Sequence, residues 1–214
     1  MLWILIPLLA LIVLISIVRL PRLIVLSSIT EYRFFSREKT YAKHLDRDSQ
    51  IKVVLLWLIL SVIPLSLEQP PLWQAMTLVL TASLLTGAMI DHRTGLLPFR
   101  IAAIIGVTAL FYTSILTPVD VPKYLATGLL IGFSLHLINQ IAWYLKRVTL
   151  LGGGDIALLV ALSLCFSIIE ISFIIWIASL TGLFESKLKR QSMIRFGPHL
   201  ACAALCCWYL KVIL

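Results

Sequence analysis

Residues 156–184 read IALLVALSLCFSIIEISFIIWIASLTGLF, an apolar stretch whose only charged residue is Glu170. As one helix these residues would run about 44 Å, against about 30 Å of bilayer hydrocarbon. They can instead fold back near residues 167–170 as two short helices. The flanking charges choose between these. A single span would carry Lys187, Lys189, Arg190 and Arg195 away from the other basic loops, against the preference of Lys and Arg for the cytoplasmic side. A hairpin keeps all four with the rest and leaves Glu170 at a turn rather than deep in lipid. The hairpin reading predicts eight spans.

The rest of the chain follows the same pattern. Of its 214 residues, 60% are hydrophobic and 13% charged, where soluble domains run at about 45–50% and about 25%. Near-continuous apolar runs fall at roughly 2–18, 53–67, 73–90, 101–117, 124–145, 156–167, 171–184 and 198–214. Outer-membrane barrels show short alternating segments instead. The fold class is therefore an all-α, polytopic transmembrane helix bundle of about eight spans, read as a single membrane-embedded domain over 1–214.

The net charge of +8 does not point to nucleic acid. The connecting segments 19–52, 91–100, 146–155 and 185–197 alternate onto one side and hold 16 of the 18 Lys and Arg, leaving only Lys123 and Lys211 on the other. Such asymmetry marks a cytoplasmic face with an affinity for anionic lipid heads, and puts both termini outside the cytoplasm. A signal peptide has its positive charge ahead of the apolar stretch. Here Arg19 and Arg22 follow Leu2–Val18, so the reading is a retained first helix.

Residues 19–52 form a short basic cytoplasmic loop, too small for its own core and expected to hold an amphipathic helix on the inner membrane face. Glu68-Gln69-Pro70-Pro71 and Pro118-Val119-Asp120-Val121-Pro122 read as turns. Cys165, Cys202, Cys206 and Cys207 lie within apolar runs without any Cys-x-x-Cys pair, and read as packing residues with no metal site.

Two carboxylates stand out at the membrane border. Asp91 closes the third run in Ile90-Asp91-His92-Arg93-Thr94-Gly95-Leu96-Leu97-Pro98, where Thr94-Gly95 marks a turn and Pro98 suits the start of the next helix. Asp155 opens the sixth after Gly152, Gly153 and Gly154. An intramembrane carboxylate is a functional candidate by default. Each also has a plain structural role open to it: Asp155 as a helix N-cap, Asp91 as a surface anchor paired to Arg93. Two carboxylates within a few ångströms share a proton, so one can activate water while the other protonates a scissile carbonyl. The triple glycine gives an open backbone against which an extended peptide can pair.

These motifs resemble those of the type IV prepilin leader peptidases, membrane aspartyl proteases of the Gly-x-Gly-Asp group. Ile90–Pro98 resembles the family's first catalytic motif, Gly152-Gly153-Gly154-Asp155 the second, and Phe196-Gly197-Pro198 its closing motif; Arg19-Leu20-Pro21-Arg22 is also similar. The resemblance implies catalytic Asp91 and Asp155, substrate contacts at Gly152, Gly153 and Gly154, and an aspartic endopeptidase of the bacterial inner membrane. It implies cleavage of a basic leader from prepilins or pseudopilins at the cytoplasmic face, just before their apolar stem. No cofactor is implied for proteolysis. The family's second activity, methylation of the new N-terminus from S-adenosylmethionine, is associated with Cys-x-x-Cys pairs in the first cytoplasmic loop. Residues 19–52 contain no cysteine, so that activity has no support in the sequence. Two further departures are Phe99, where the family often has Asn or Asp, and Ala157, where many members have Lys.

His136, Asn139 and Gln140 lie at helical spacing inside the fifth run and read as bonds to neighbouring helices or as lining of the site. His92 adjoins Asp91 but points elsewhere, because consecutive helix positions diverge. Two rival functions use the same acids: a presenilin-like protease cutting within transmembrane helices, and a proton-coupled transporter.

Overall fold

The computed structural model describes residues 47–66, 69–190 and 194–213. The first apolar run, the Arg19–Arg22 motif and all of the basic loop before residue 47 lie outside them. Helix makes up 87% of the structure and no strand occurs among the described residues, so the all-α class holds. The chain forms two compact units, Met1–Pro98 and Phe99–Leu214.

In the first unit, α1 (Arg47–Ser66) packs against α2 (Pro71–Thr94). Trp57 of α1 is almost fully buried, and its indole N–H donates to the Leu78 carbonyl of α2 at 3.2 Å. That bond satisfies the one polar atom of a large apolar ring. Of the turn expected before α2, Gln69 and Pro70 are non-helical, and Glu68 lies outside the described residues. Pro71 stands in the first turn, where a missing N–H is no loss.

The second unit runs α3 (Phe99–Leu116), a 3-10 turn at Pro118–Asp120, α4 (Val121–Lys146), α5 (Gly153–Leu162), α6 (Ile168–Lys189) and α7 (Phe196–Ile213). The short α5 is its centre and touches α3, α4 and α7, while α6 packs along α7. Leu158, Leu159 and Leu162 of α5 and Ile101 and Ile105 of α3 are at most 2% exposed. Helix α4 approaches α5 through Gly128 and Gly132, one turn apart. A Cβ at these positions would stand 2.7 Å from Ser163 Oγ and 2.9 Å from Val160 Cγ2. Small residues at this spacing let membrane helices meet backbone to side chain.

The predicted break within 156–184 is found. The Cys165 and Phe166 amides both turn back onto the Leu162 carbonyl at 3.0 Å, ending α5. A capping box then starts α6: the Ser167 amide donates to Glu170 Oε2 at 2.6 Å, and the Glu170 amide to Ser167 Oγ at 3.4 Å. Glu170 also lies 3.1 Å from Lys211 Nζ on α7. Its acid therefore caps a helix and pairs across to another.

The described residues do not confirm the expected count of eight spans. Seven of the eight apolar runs are helices, and the first lies outside the described residues. Among the described residues, four helical segments are long and apolar enough to cross a bilayer: Pro71–Thr94, Phe99–Leu116, Pro118–Lys146 and Ile168–Lys189. The two arms of the hairpin are unequal. Helix α6 has 22 residues, but α5 has 10 and reaches about 15 Å, half the hydrocarbon depth. The four also differ in their surroundings. In α2, 72% of the apolar window is buried, whereas in Pro118–Lys146 only 6% is, leaving α4 a face for lipid.

Candidate functional site

In the first unit, the last turn of α2 carries Asp91. The helix ends because Gly95 adopts φ 71°, the left-handed region that only glycine enters without penalty, and its N–H closes onto the Asp91 carbonyl at 2.7 Å. Thr94 folds the chain away: its hydroxyl donates to the Ile90 carbonyl at 2.7 Å and accepts the Leu96 amide at 3.2 Å. The Thr94-Gly95 turn thus holds Asp91 at the end of a largely enclosed helix. Asp91 itself is 5% exposed. Next to it His92 is exposed, as the divergence of consecutive helix positions requires.

In the second unit, the triple glycine is less open than its composition suggests. Only Gly152 is extended (φ −65°, ψ 146°); Gly153 and Gly154 already form the first turn of α5. Asp155 is therefore the third helical residue rather than the N-cap, and its carboxylate lies among the free amides of a helix start, where the dipole favours negative charge. The Asp155 side chain turns back toward Gly152, and a Cβ there would stand 3.2 Å from Oδ2. The tip of the Phe99 ring covers the next residue, with Cζ 3.3 Å from where a Gly153 Cβ would be. A side chain at Gly152 would press on the carboxylate, and one at Gly153 on the tip of the ring. Phe99, noted above as a departure, is part of the surroundings of the Asp155 turn.

The model of the type IV leader peptidase family matches residues 78–186, about half of the chain. The chain belongs to that family. Both aspartates, the triple glycine, Phe99 and Ala157 lie within the matched residues, and Phe196-Gly197-Pro198 follows them. No curated protein and no solved structure matched the chain.

As a leader peptidase family member, the protein carries its two candidate acids in different units: Asp91 in the first, Asp155 and all three glycines in the second. The Phe196-Gly197-Pro198 motif opens α7, and the residue after it, His199, reaches α6, where Nε2 lies 2.6 Å from Glu185 Oε2. Glu185 also pairs with Lys189 one turn on.

Of the polar residues in the fifth apolar run, His136 and Gln140 contact each other at 3.2 Å on an exposed face of α4, rather than a neighbouring helix. Asn139 does something the sequence reading did not foresee. Its Oδ1 accepts the amides of Leu150 and Leu151 at 3.1 and 3.0 Å, and its Nδ2 donates to the Leu151 carbonyl at 2.7 Å. The available signal was an amide in an apolar helix, about three turns upstream of a glycine-rich turn.

Proposed function

We propose that the protein is an aspartic endopeptidase that cleaves the basic leader from type IV prepilins or pseudopilins at the cytoplasmic face of the bacterial inner membrane, with Asp91 and Asp155 as its acid pair. The observation that carries this reading is the setting of the two carboxylates within the matched family region. One is buried in the last turn of an enclosed helix, the other lies in the first turn after a glycine-rich approach. Carboxylates in such places are rare unless they work.

The chemistry follows from two acids sharing one proton. The ionised member takes a proton from water, and the water oxygen attacks the scissile carbonyl carbon. The protonated member donates to the carbonyl oxygen, and collapse of the tetrahedral intermediate breaks the C–N bond as the amine takes up a proton. Two carboxylates that share a proton titrate as a unit, so the reading does not assign the base to either residue alone. Gly152, Gly153 and Gly154 let a substrate backbone come close to Asp155. A basic leader is retained at the inner face by anionic lipid while its apolar stem stays in the bilayer, which brings the bond between them to the membrane border. Membership of a peptidase family gives the transporter alternative no support.

The test is cleavage of a purified prepilin by reconstituted enzyme, read by mass spectrometry. Asp91→Asn and Asp155→Asn each abolish cleavage while membrane insertion is normal; full activity in either overturns the pair. Proteolysis by carboxylates takes no metal or other cofactor, so EDTA leaves the rate unchanged. The same spectra read any methyl group added from S-adenosylmethionine, which is not expected of a chain without the cysteine pairs.

A further inference from the structure

We propose that Asn139 is a positioning residue for the Asp155 turn, holding the start of the glycine-rich segment so that the carboxylate is presented in one place. The inference rests on the reading of Asp155 as a catalytic acid and goes beyond it by assigning the group that sets its approach.

The segment between α4 and α5 has little else to fix it. Helix α4 ends at Arg147 in the left-handed region, φ 56°, with its N–H on the Trp143 carbonyl and its guanidinium 4.3 Å over the Trp143 ring. From there the chain must reach Gly152 through Val148–Leu151. Val148 and Leu150 are more than half exposed and so contribute little apolar anchoring. In this stretch three hydrogen bonds to one side chain replace packing: both amides and one carbonyl of Leu150–Leu151 are taken by Asn139. An Asn side chain offers an oxygen with two lone pairs and a separate donating nitrogen, the set these three backbone groups use. At the border of a bilayer, backbone groups that lack water need such partners. Gly152 follows directly, and its carbonyl accepts the Ile156 amide at 3.2 Å, closing the first turn of α5 around Asp155. The clamp and the acid are thus separated by three residues of chain, all of them glycines, so a displacement of the clamp is passed to the acid over a short stretch.

The clamp also constrains where substrate can bind. An extended peptide cannot take the Leu150 and Leu151 amides, because Asn139 holds them. In strand addition, amide donation to the substrate from this segment falls to residues before Leu150 or to Gly152, the one extended glycine.

Asn139→Leu is the deciding variant. It keeps the volume and suits a membrane helix, so an amide serving only packing would be replaced without loss. The experiment uses the full chain in lipid, with two readouts: hydrogen–deuterium exchange of a peptide covering 148–155, and kcat and KM on a prepilin. The expected result is faster exchange in that peptide with exchange in α3 unchanged, and kcat lower by about tenfold to a hundredfold with KM within about twofold, since misplacing a catalytic group acts on the transition state. Asn139→Asp, which keeps both accepting bonds but loses the donor, falls between wild type and Asn139→Leu. Unchanged exchange, or unchanged kcat in the leucine variant, overturns the proposal. If Asp155→Asn is inactive while Asn139→Leu is fully active, positioning fails alone; if Asp155→Asn is active, the acid assignment fails with it.

Discussion

The carboxylate of Asp155 turns back toward Gly152, so that a Cβ on Gly152 would meet Oδ2 at 3.2 Å. Such a contact is tight enough to move the carboxylate by a few tenths of an ångström. Glycine at this position is a good N-cap, serine a better one and alanine a poor one. Gly152→Ala should therefore lose both helix stability and activity, while Gly152→Ser should keep or raise thermal stability yet lose kcat by a similar factor, about tenfold for a displaced catalytic group. Parallel melting curves and prepilin kinetics check this. A serine variant with wild-type kcat would show that the carboxylate has room to adjust.

Phe99 and Gly153 make a second close pair, with Cζ 3.3 Å from the site of a Gly153 Cβ. The ring is 47% exposed and can swing, and alanine is about 1 kcal/mol better than glycine inside a helix. Gly153→Ala should thus leave the fold intact and change cleavage by no more than about threefold, with the change removed in the Phe99→Ala background, since contacting sites couple. A double-mutant cycle on kcat/KM measures the coupling. If Gly153→Ala remains inactive without the ring, the added methyl blocks the substrate itself, which assigns Gly153 to the binding surface.

The elements legible in sequence were those governed by composition and charge. Seven apolar runs are helices, and the break near Ser167 is legible from the charges of Lys187, Lys189, Arg190 and Arg195 that follow the run. The span count was less legible, because hydropathy marks a stretch as apolar without marking where a helix ends: α5 stops at Leu162 when its carbonyl takes two turning amides. Three glycines in a row suggest an open backbone, but two of the three are wound into α5, since a helix start followed by apolar Ile156–Leu162 outweighs the flexibility of glycine. The Asn139 clamp depends on a contact 11 and 12 residues away, beyond the reach of periodicity.

The seam between α4 and α5 gives a stability prediction. Val160 Cγ2 would lie 2.9 Å from a Cβ at Gly132, and a β-branched side chain in a helix has one strongly preferred rotamer and cannot turn aside. Gly132→Ala should force the helices apart, at a cost of about 1–3 kcal/mol for an overpacked contact. Val160→Ala in the same chain should recover part of the loss, so the double variant melts above the sum of the two singles. Additive effects in the thermal unfolding of the purified protein would mean that the two helices do not meet at this point.

His199 and Glu185 tie α7 to α6 beside the Phe196-Gly197-Pro198 motif, and their strength can be bounded. A hydrogen bond to a charged group is worth about 1.5–3 kcal/mol, and exposed ion pairs about 0–1 kcal/mol. The contact is an ion pair, with the Glu185 side chain 32% exposed and that of His199 14%, so a value at the upper end of the ion-pair range, about 1 kcal/mol, is expected after screening. His199→Phe keeps the ring against α6, where Gly182 leaves space for it, and removes only the polar contact. The melting temperature should then fall by about 2–4 °C for a chain of this size. Glu185→Gln keeps an acceptor for the imidazole and should lose less than Glu185→Ala, which leaves both His199 and Lys189 without that carboxylate. Equal melting temperatures for the glutamine and alanine variants would show that α6 and α7 are joined by their apolar faces alone.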